Sequence, residues 1–432
     1  MKRRDHTMQI EVVNPGESLW QIANRYGVPA DRIVALNGLD QPESLVPGQA
    51  LVIPVVGSYY MIRQGDSFYS IANRLGVSLQ SLIQTNPNVD PTQLQAGQVL
   101  RIPQAPKPII ETNAYLQPAT AARDQALVRE HAELLTYFSI FQYRVLRTGE
   151  LVPPEDSAAL EAIQATDSRP MMVIANFEEG NFSPEISRAI FTDAAVKETM
   201  IANIIQTMLN KGFRALNIDF ENMYADDREL YNQFLREITA RLHQAGLLVS
   251  TALAPKTSAT QVGQWYEAHD YRAHGEIVDF VIIMTYEWGW SGGPPMAVSP
   301  IPQVRAVLDF AVSVIPPSKI MMGAPLYGYD WTLPFVQGGK FARSFSPQAA
   351  VSQARNVGAV IRYDPVSQAP NYSYYDAEGR EHIVWFEDAR SMQAKFDLIK
   401  AYGLRGISYW VLGNPFPQNW ALLGDNFIIR KI

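Results

Sequence analysis

Eight short apolar strands alternating with amphipathic helical stretches, two gapless copies of one segment, and a proline-rich joint between these regions predict an α/β chain. The expected architecture is a (β/α)8 barrel of the TIM type with a small α+β insertion, preceded by two small βααβ modules. The 432 residues are enough for two to four domains and a large core. Hydrophobic content of 47% beside 18% charged residues is ordinary for a globular chain in water.

Several function classes are disfavoured at once. No run of about 18 apolar residues exists, so no membrane-spanning helix is expected. The start, "MKRRDHTMQIEVVNPGESLW", is basic but lacks an apolar stretch, which argues against a secretory signal. Met8 is an alternative start that would leave residues 1–7 as a leader. A net charge of −7 and a pI near 5.5 disfavour nucleic acid as the partner, and a monomer is the default expectation. The absence of cysteine removes disulfides, thiolate nucleophiles and thiolate metal sites. The six histidines form no H-E-x-x-H pattern, and His269 and His274 are five apart, off the spacing of one helical face. Neither a metal nor a cofactor is expected.

The repeat comes first along the chain. "GESLWQIANRYGV" (Gly16–Val28) aligns with "GDSFYSIANRLGV" (Gly65–Val77) at an offset of 49. The same offset carries Asn37 onto Asn86 and "PGQALVIP" onto "AGQVLRIP". Each copy reads as strand, two short helices, strand. Ser18 and Gln21 have the spacing of a capping box, in which hydroxyl and amide side chains satisfy each other's backbone N–H groups.

These residues resemble the lysin motif (LysM), G-[DE]-[ST]-x-x-x-I-A…N…L-x-x-G-x-x-L-x-I-P, which implies binding to the N-acetylglucosamine backbone of peptidoglycan or chitin. Carried onto this sequence, the first loops contribute Gly16, Ser18 and Leu19, and Gly65, Ser67 and Phe68. The loops before the last strands contribute Pro47 and Gly48, and Ala96 and Gly97. The bland reading is that these residues only make turns. Two modules in tandem raise avidity through effective concentration. The expected boundaries are 8–55 and 58–104 for the modules, a semi-rigid linker over 105–110 within "PQAPKPII", and 108–432 for the barrel.

The barrel strands are read, in order, from "PIIETNAYL", "TYFSIFQY", "MMVIANF", "ALNIDFEN", "LLVSTALAP", "VDFVIIMTYEWG", "KIMMGAPLYGYDW" and "GISYWVLG". An insertion is expected over 338–385, where the alternation breaks. An open doubly wound sheet is the runner-up, but "NAYLQP" is unlike the glycine-rich phosphate loop such a sheet carries after its first strand.

The fourth strand is unusual. Barrel strands point alternate residues inward, and their C-terminal ends form the site. Leu216, Ile218 and Phe220 are expected to face the helices. Asn217, Asp219 and Glu221 are expected to face the lumen, with Glu221 at the rim. Buried carboxylates need partners, and Lys256 is the one cation in view on the inner strands. Two positions along a strand span roughly 6.5–7 Å, so the carboxylates couple. An ionised Asp219 is expected to keep Glu221 protonated near neutral pH.

This strand resembles the D-G-x-[DN]-x-D-x-E signature of glycoside hydrolase family 18, with Arg214 and Ala215 departing from its leading Asp-Gly. "MTYEWG" resembles the family's M-x-Y-D, with Glu287 in place of Asp, and "GISYW" resembles its eighth strand. The resemblance implies substrate-assisted hydrolysis, in which the sugar's own 2-acetamido oxygen attacks the anomeric carbon. It implies Glu221 as general acid and base, Asp219 as orienter of the acetamide, Asn217 holding Asp219 from below, Tyr286 bonding the acetamide carbonyl, and Trp410 beneath the ring. Glu287, Trp288 and Tyr327 are further candidates for substrate contact. Other aromatics in view are Tyr115, Tyr137, Trp290 and Trp331.

Together with the lysin motifs, "NIDFEN", "MTYEWGWSGGPPMAVSPI" and "VWFED" resemble the spore-germination N-acetylglucosaminidases of spore-forming bacteria, which act on cortex peptidoglycan fragments. That resemblance implies a spore protein made without a signal peptide. The rival readings are a chitinase of the same family, a non-catalytic peptidoglycan-binding barrel and a structural coat component. The presence of Glu221 favours an enzyme.

Overall fold

The computed structural model describes residues 6–56, 58–75, 77–103 and 106–432. Residues 1–5 of the possible leader, Gln104 at the expected end of the second module and Ala105 at the start of the expected linker lie outside the described residues.

Eight parallel strands close on themselves: β1 (Ile109–Leu116), β2 (Tyr137–Val145), β3 (Arg169–Ala175), β4 (Ala215–Asp219), β5 (Leu248–Leu253), β6 (Phe280–Ile283), β7 (Ile320–Pro325) and β8 (Gly406–Trp410). Each pairs with its neighbour in order, and β8 and β2 both pair with β1. The lumen is filled by Tyr115, Tyr137, Met171, Val173, Ala215, Phe280, Ile282 and Met321, all buried. One residue out of phase, Phe220 packs outward among Phe191, Tyr231 and Phe234 of the covering helices. The period-two alternation therefore sorts the fourth strand as expected.

The insertion begins earlier than the sequence suggests. Gly328–Thr332 leaves the barrel and pairs antiparallel with Arg343–Phe345 and Glu381–Trp385 in a separate five-stranded sheet, packed beside the helix Pro347–Asn356. "KIMMGAPLYGYDW" reads as one apolar run, yet only Ile320–Pro325 lies in the barrel. The aromatic alternation of Tyr327, Tyr329 and Trp331 suits either sheet, so periodicity alone cannot locate the break.

The N-terminal unit comprises residues 1–108 together with 417–427, and the second unit comprises 109–416 and 428–432. In both modules the opening strand pairs antiparallel with the closing one. Asn37 explains its recurrence at Asn86. Its amide donates to Ile33 O and Val52 O and accepts from Val52 N–H; Asn86 makes the same three bonds with Leu82 and Arg101. One buried amide thus ties the second helix to the last strand in each copy. The capping box at Ser18 and Gln21 is present, and Ser67 and Ser70 cap the second copy in the same way.

The helix Pro417–Asn426 groups with the N-terminal unit through specific bonds. Gln418 Nε2 donates to Asn37 Oδ1 and Ala50 O, both at 2.8 Å, and Met8 N–H donates to Asp425 at 3.0 Å. Lys107, within the expected linker, donates to Gly424 O. Gln418→Ala removes two hydrogen bonds and leaves the Asn37 oxygen with one donor fewer. It is expected to cost about 1–2 kcal/mol in urea unfolding of the full chain. A loss within error of zero counts against a specific seat for this helix.

Candidate active site

The candidate site lies at the C-terminal end of the barrel strands, where β4 delivers its polar face. Asn217 sits deepest and is fully buried. Its Oδ1 accepts from Tyr115 Oη at 2.9 Å and its Nδ2 donates to Ser250 Oγ at 3.0 Å. The expected hydrogen bond from Asn217 to Asp219 is absent among the described bonds. The reason is geometric: neighbouring strands β1 and β5 present hydroxyls at the height of Asn217, and these satisfy both ends of its amide.

Asp219 is 5% exposed, and its Oδ1 has no hydrogen-bond partner among the described residues. Burial raises its carboxyl to about 7. Glu221 keeps some surface contact at the rim, yet protein surrounds most of its carboxyl. Its pKa is pushed well above the ordinary range, first by burial and second by the charge of Asp219. The expected effect of the neighbouring charge is thus present but second to desolvation. Lys256 does not neutralise the pair. Its Nζ donates to His269 O at 3.0 Å, and no ion pair reaches Asp219 or Glu221 among the described residues.

Tyr286, just beyond β6, is 9% exposed. Its hydroxyl is held protonated first by burial, then by the charges of Asp219, Glu221 and Glu287. Gly323 on β7 makes room for it: a Cβ there would lie 2.8 Å from Tyr286 Cε1 and 2.6 Å from Ile283 O. Trp410 closes β8 and packs edge-on against Tyr115 (5.3 Å) and Phe141 (4.8 Å). It joins the lumen cluster to a second cluster containing Tyr286, Tyr327, Tyr329 and Trp331.

Glu287 has a left-handed backbone (φ 68) and accepts from the hydroxyls of Tyr327 and Tyr329. The longer acid is thus fixed by two tyrosines, of which Tyr329 was not anticipated. Trp288 is half-buried and donates its backbone N–H to Val298 O. Tyr137 and Trp331 are core residues, the first stacked on Phe280 and the second bonded to Gly293 O. Trp290 is 45% exposed beside Phe341.

In each module the second expected loop is tied to the residue that follows the opening strand. Gly48 N–H donates to Val13 O and Gly97 N–H to Ile62 O, each at 2.8 Å. Gly16, Gly48, Gly65 and Gly97 all take positive φ. Ser18 and Ser67 are exposed but engaged as caps, Pro47 is half-buried and Ala96 exposed. Leu19 and Phe68 point into the module cores, so their side chains are not offered to a ligand. The next residues are. Trp20 and Tyr69, related by the same offset of 49, are 70% and 66% exposed. Among the described residues no group of three potential metal ligands gathers.

A closed (β/α)8 barrel with paired carboxylates on one strand face, a tyrosine beside them and an indole at the strand end is the architecture of a sugar-hydrolysing enzyme. The chain belongs to glycosyl hydrolases family 18, whose model matches residues 149–414, and LysM domains match 12–54 and 60–103. It is 55% identical to the cortical fragment-lytic enzyme of Bacillus subtilis over 427 residues, covering 98% of this chain and 99% of that one. The crystal structure of the Bacillus cereus spore cortex-lytic enzyme SleL superposes with a TM-score of 0.91 at 46% identity, over 98% and 99% of the two chains. A chitinase from Chromobacterium violaceum superposes at 0.66 and 25% identity, over 73% of this chain and 98% of its own.

Burying Asp219 has a cost that pH should expose. Its ordinary value is 3.8 and its folded value about 7. Between them the folded chain keeps a proton that the unfolded chain has released, so stability falls as pH rises, and the loss is complete above about 7. Asp219→Asn removes this term. The variant is expected to be more stable than wild type near pH 8 and to lose that advantage near pH 4, by urea unfolding at both. A difference independent of pH contradicts this account.

Proposed function

We propose that the chain is a retaining N-acetylglucosaminidase hydrolysing β-1,4 bonds of peptidoglycan, spore-cortex fragments in particular, with its lysin motifs holding it on the glycan. The observation that carries this reading is the pair of Asp219, buried at the end of β4, and Glu221, at the rim just past it, unpaired with any cation among the described residues. Nothing structural is gained by such a pair; chemistry is.

In this mechanism Glu221 gives its proton to the glycosidic oxygen as the C1–O bond breaks. The acetamido oxygen of the same sugar attacks C1 from the opposite face and forms an oxazolinium ion. Asp219 orients the acetamide N–H and stabilises the positive charge. Tyr286 donates to the acetamide oxygen, and Trp410 packs beneath the ring. Water then attacks C1 while Glu221 takes back a proton, giving net retention. Burial, and then the charge of Asp219, raise the Glu221 pKa, the direction a general acid requires. Asn217 acts below the reacting groups, fixing Tyr115 and Ser250 rather than touching Asp219.

The named action of the relatives supports the spore cortex as the substrate, and in this reading the protein works in the coat and cortex layers. Among the described residues no helix is long and apolar enough to cross a membrane. The chitinase likeness covers the barrel alone and makes chitin the comparison substrate. On the modules, the two loops offer backbone groups, and Trp20 and Tyr69 add exposed rings against which a sugar's apolar face can pack.

Glu221→Gln keeps the shape but cannot exchange the proton, and is expected to lower kcat by at least about 10²–10⁴-fold with fragment binding retained. A glycan whose scissile sugar lacks the N-acetyl group is expected to be nearly inert with the wild-type enzyme. Near-normal activity in the variant, or rapid cleavage of that glycan, overturns the mechanism. Faster turnover of chitin than of cortex fragments by the wild-type enzyme overturns the substrate.

The modules are tested separately. The double variant Trp20→Ala, Tyr69→Ala is expected to cleave soluble fragments at the wild-type rate and to be retained less on insoluble peptidoglycan in a pull-down. Unchanged retention removes these rings from the binding surface.

A further inference from the structure

The strand that presents the carboxylates stops too soon. Main-chain pairing between β4 and β3 ends at Asp219, opposite Ala175, and pairing between β4 and β5 ends at Ile218, opposite Thr251. Glu221 therefore stands two residues past the last rung, and Asn222 already turns with φ 53. A side chain whose backbone is unsupported cannot be held within the few tenths of an ångström that proton transfer needs.

Two buried side chains take over where the ladder stops. Asn176, the residue after the end of β3, is fully buried. Its Oδ1 accepts from Glu221 N–H at 3.0 Å and its Nδ2 donates to Glu221 O at 2.9 Å, so one amide grips both main-chain groups of that residue. The same Nδ2 reaches Ser183 O and Ser187 Oγ at 2.9 and 2.8 Å, which anchors the amide to the following helix.

On the other flank His269 is 1% exposed. Its Nδ1 accepts from Ala254 N–H at 3.0 Å, and its Nε2 lies 2.9 Å from Phe220 O. The partners fix the tautomer: a backbone N–H can only donate and a carbonyl can only accept, so Nε2 carries the hydrogen. The imidazole thus stands between the ends of β5 and β4 in the place of a main-chain hydrogen bond. Burial, foremost, keeps His269 neutral, with its pKa lowered to about 4, as this arrangement requires.

We propose that Asn176 and His269 are positioning residues that extend the strand ladder in side chains and so aim Glu221 at the glycosidic oxygen. The inference rests on the reading of Glu221 as the general acid. Neither residue touches the reacting atoms; Asn176 acts on the peptide groups of Glu221 and His269 on the peptide between the two carboxylates.

Misplacing an acid should slow the chemical step and leave ground-state binding alone. His269→Ala and Asn176→Ala, assayed as folded full-length enzyme on cortex fragments, are expected to lower kcat by about 10- to 100-fold with KM within about twofold. His269→Gln restores a donor for Phe220 O and an acceptor for Ala254 N–H, and is expected to recover most of the kcat lost in His269→Ala. A residue serving stability alone would lower the unfolding midpoint, leave kcat of the folded fraction unchanged and show no rescue; that result overturns the proposal. A second measurement needs no variant. The Glu221 amide of the wild-type chain is expected to be protected from hydrogen exchange although it lies beyond the strand, and fast exchange overturns the clamp. If Glu221→Gln is inactive while both alanine variants keep full kcat, only this inference fails; if Glu221→Gln is active, the underlying mechanism fails instead.

Discussion

Everything at the rim follows from placing two carboxylates two residues apart at the end of one strand with no cation among the described residues to neutralise them. In water the pair would cost little. In the barrel lumen desolvation disfavours the charged form of each and mutual repulsion adds to it. The protein answers with position rather than charge. Asn217, directly below, is fully hydrogen-bonded to Tyr115 and Ser250, so no polar group beneath competes for Asp219. Tyr286 stands beside the pair because Gly323 leaves space for its ring. Trp410 lies where the lumen core becomes the rim, packed against Tyr115 and Phe141. The result is a pair of acids whose pKa values burial raises, and for Glu221 this is the direction that proton donation requires. The stability lost here is supplied by the rest of the barrel, whose lumen buries Tyr137, Met171, Val173, Phe280, Ile282 and Met321.

The lysin-motif unit solves a different problem, that of a small fold with little core. Each copy buries only a handful of apolar residues, with Leu19, Ile22, Ala23 and Ile33 among those of the first copy and Phe68, Ile71, Ala72 and Leu82 among those of the second. With so little apolar burial, hydrogen bonds that lock one element to another matter more. The repeated asparagine does this, and the loop glycines, at positive φ, allow the tight turns of each module. The helix Pro417–Asn426 adds further packing to this unit through Gln418 and Asp425. Its sequence gives no hint of that, because the last helix of a barrel pattern is expected to cover the barrel.

The sequence revealed what periodicity and repetition encode. A strict alternation of Asn217, Asp219 and Glu221 against Leu216, Ile218 and Phe220 is readable because a barrel strand has one inner and one outer face. The offset of 49 is readable because both copies must satisfy the same buried asparagine. Other features depend on contacts between distant segments and were hidden. The start of the insertion at Gly328 is invisible because Tyr327, Tyr329 and Trp331 alternate equally well in either sheet. The expectation that Asn217 holds Asp219 failed because hydroxyls from β1 and β5 reach the amide first. Leu19 and Phe68 fit the glycan loops by motif, yet their apolar side chains are needed in the core and their neighbours Trp20 and Tyr69 take the surface.

One consequence concerns barrel enzymes of this kind more generally. Strand ladders fix backbones well, but the C-terminal ends that carry chemistry lie where pairing stops. A carboxylate placed within the ladder would be rigid and inaccessible; one placed beyond it is accessible and loose. Here Asp219 occupies the last rung toward β3, and Glu221 lies two residues further on. The chain reconciles reach with rigidity by spending polar side chains from neighbouring strand ends as rungs. Such residues carry no sequence signature, since Asn176 is one polar residue closing an apolar run and His269 sits in a loop. They become visible only when the main-chain groups past the last rung are asked for their partners: beyond β4, the two groups of Glu221 find an amide and Phe220 O an imidazole.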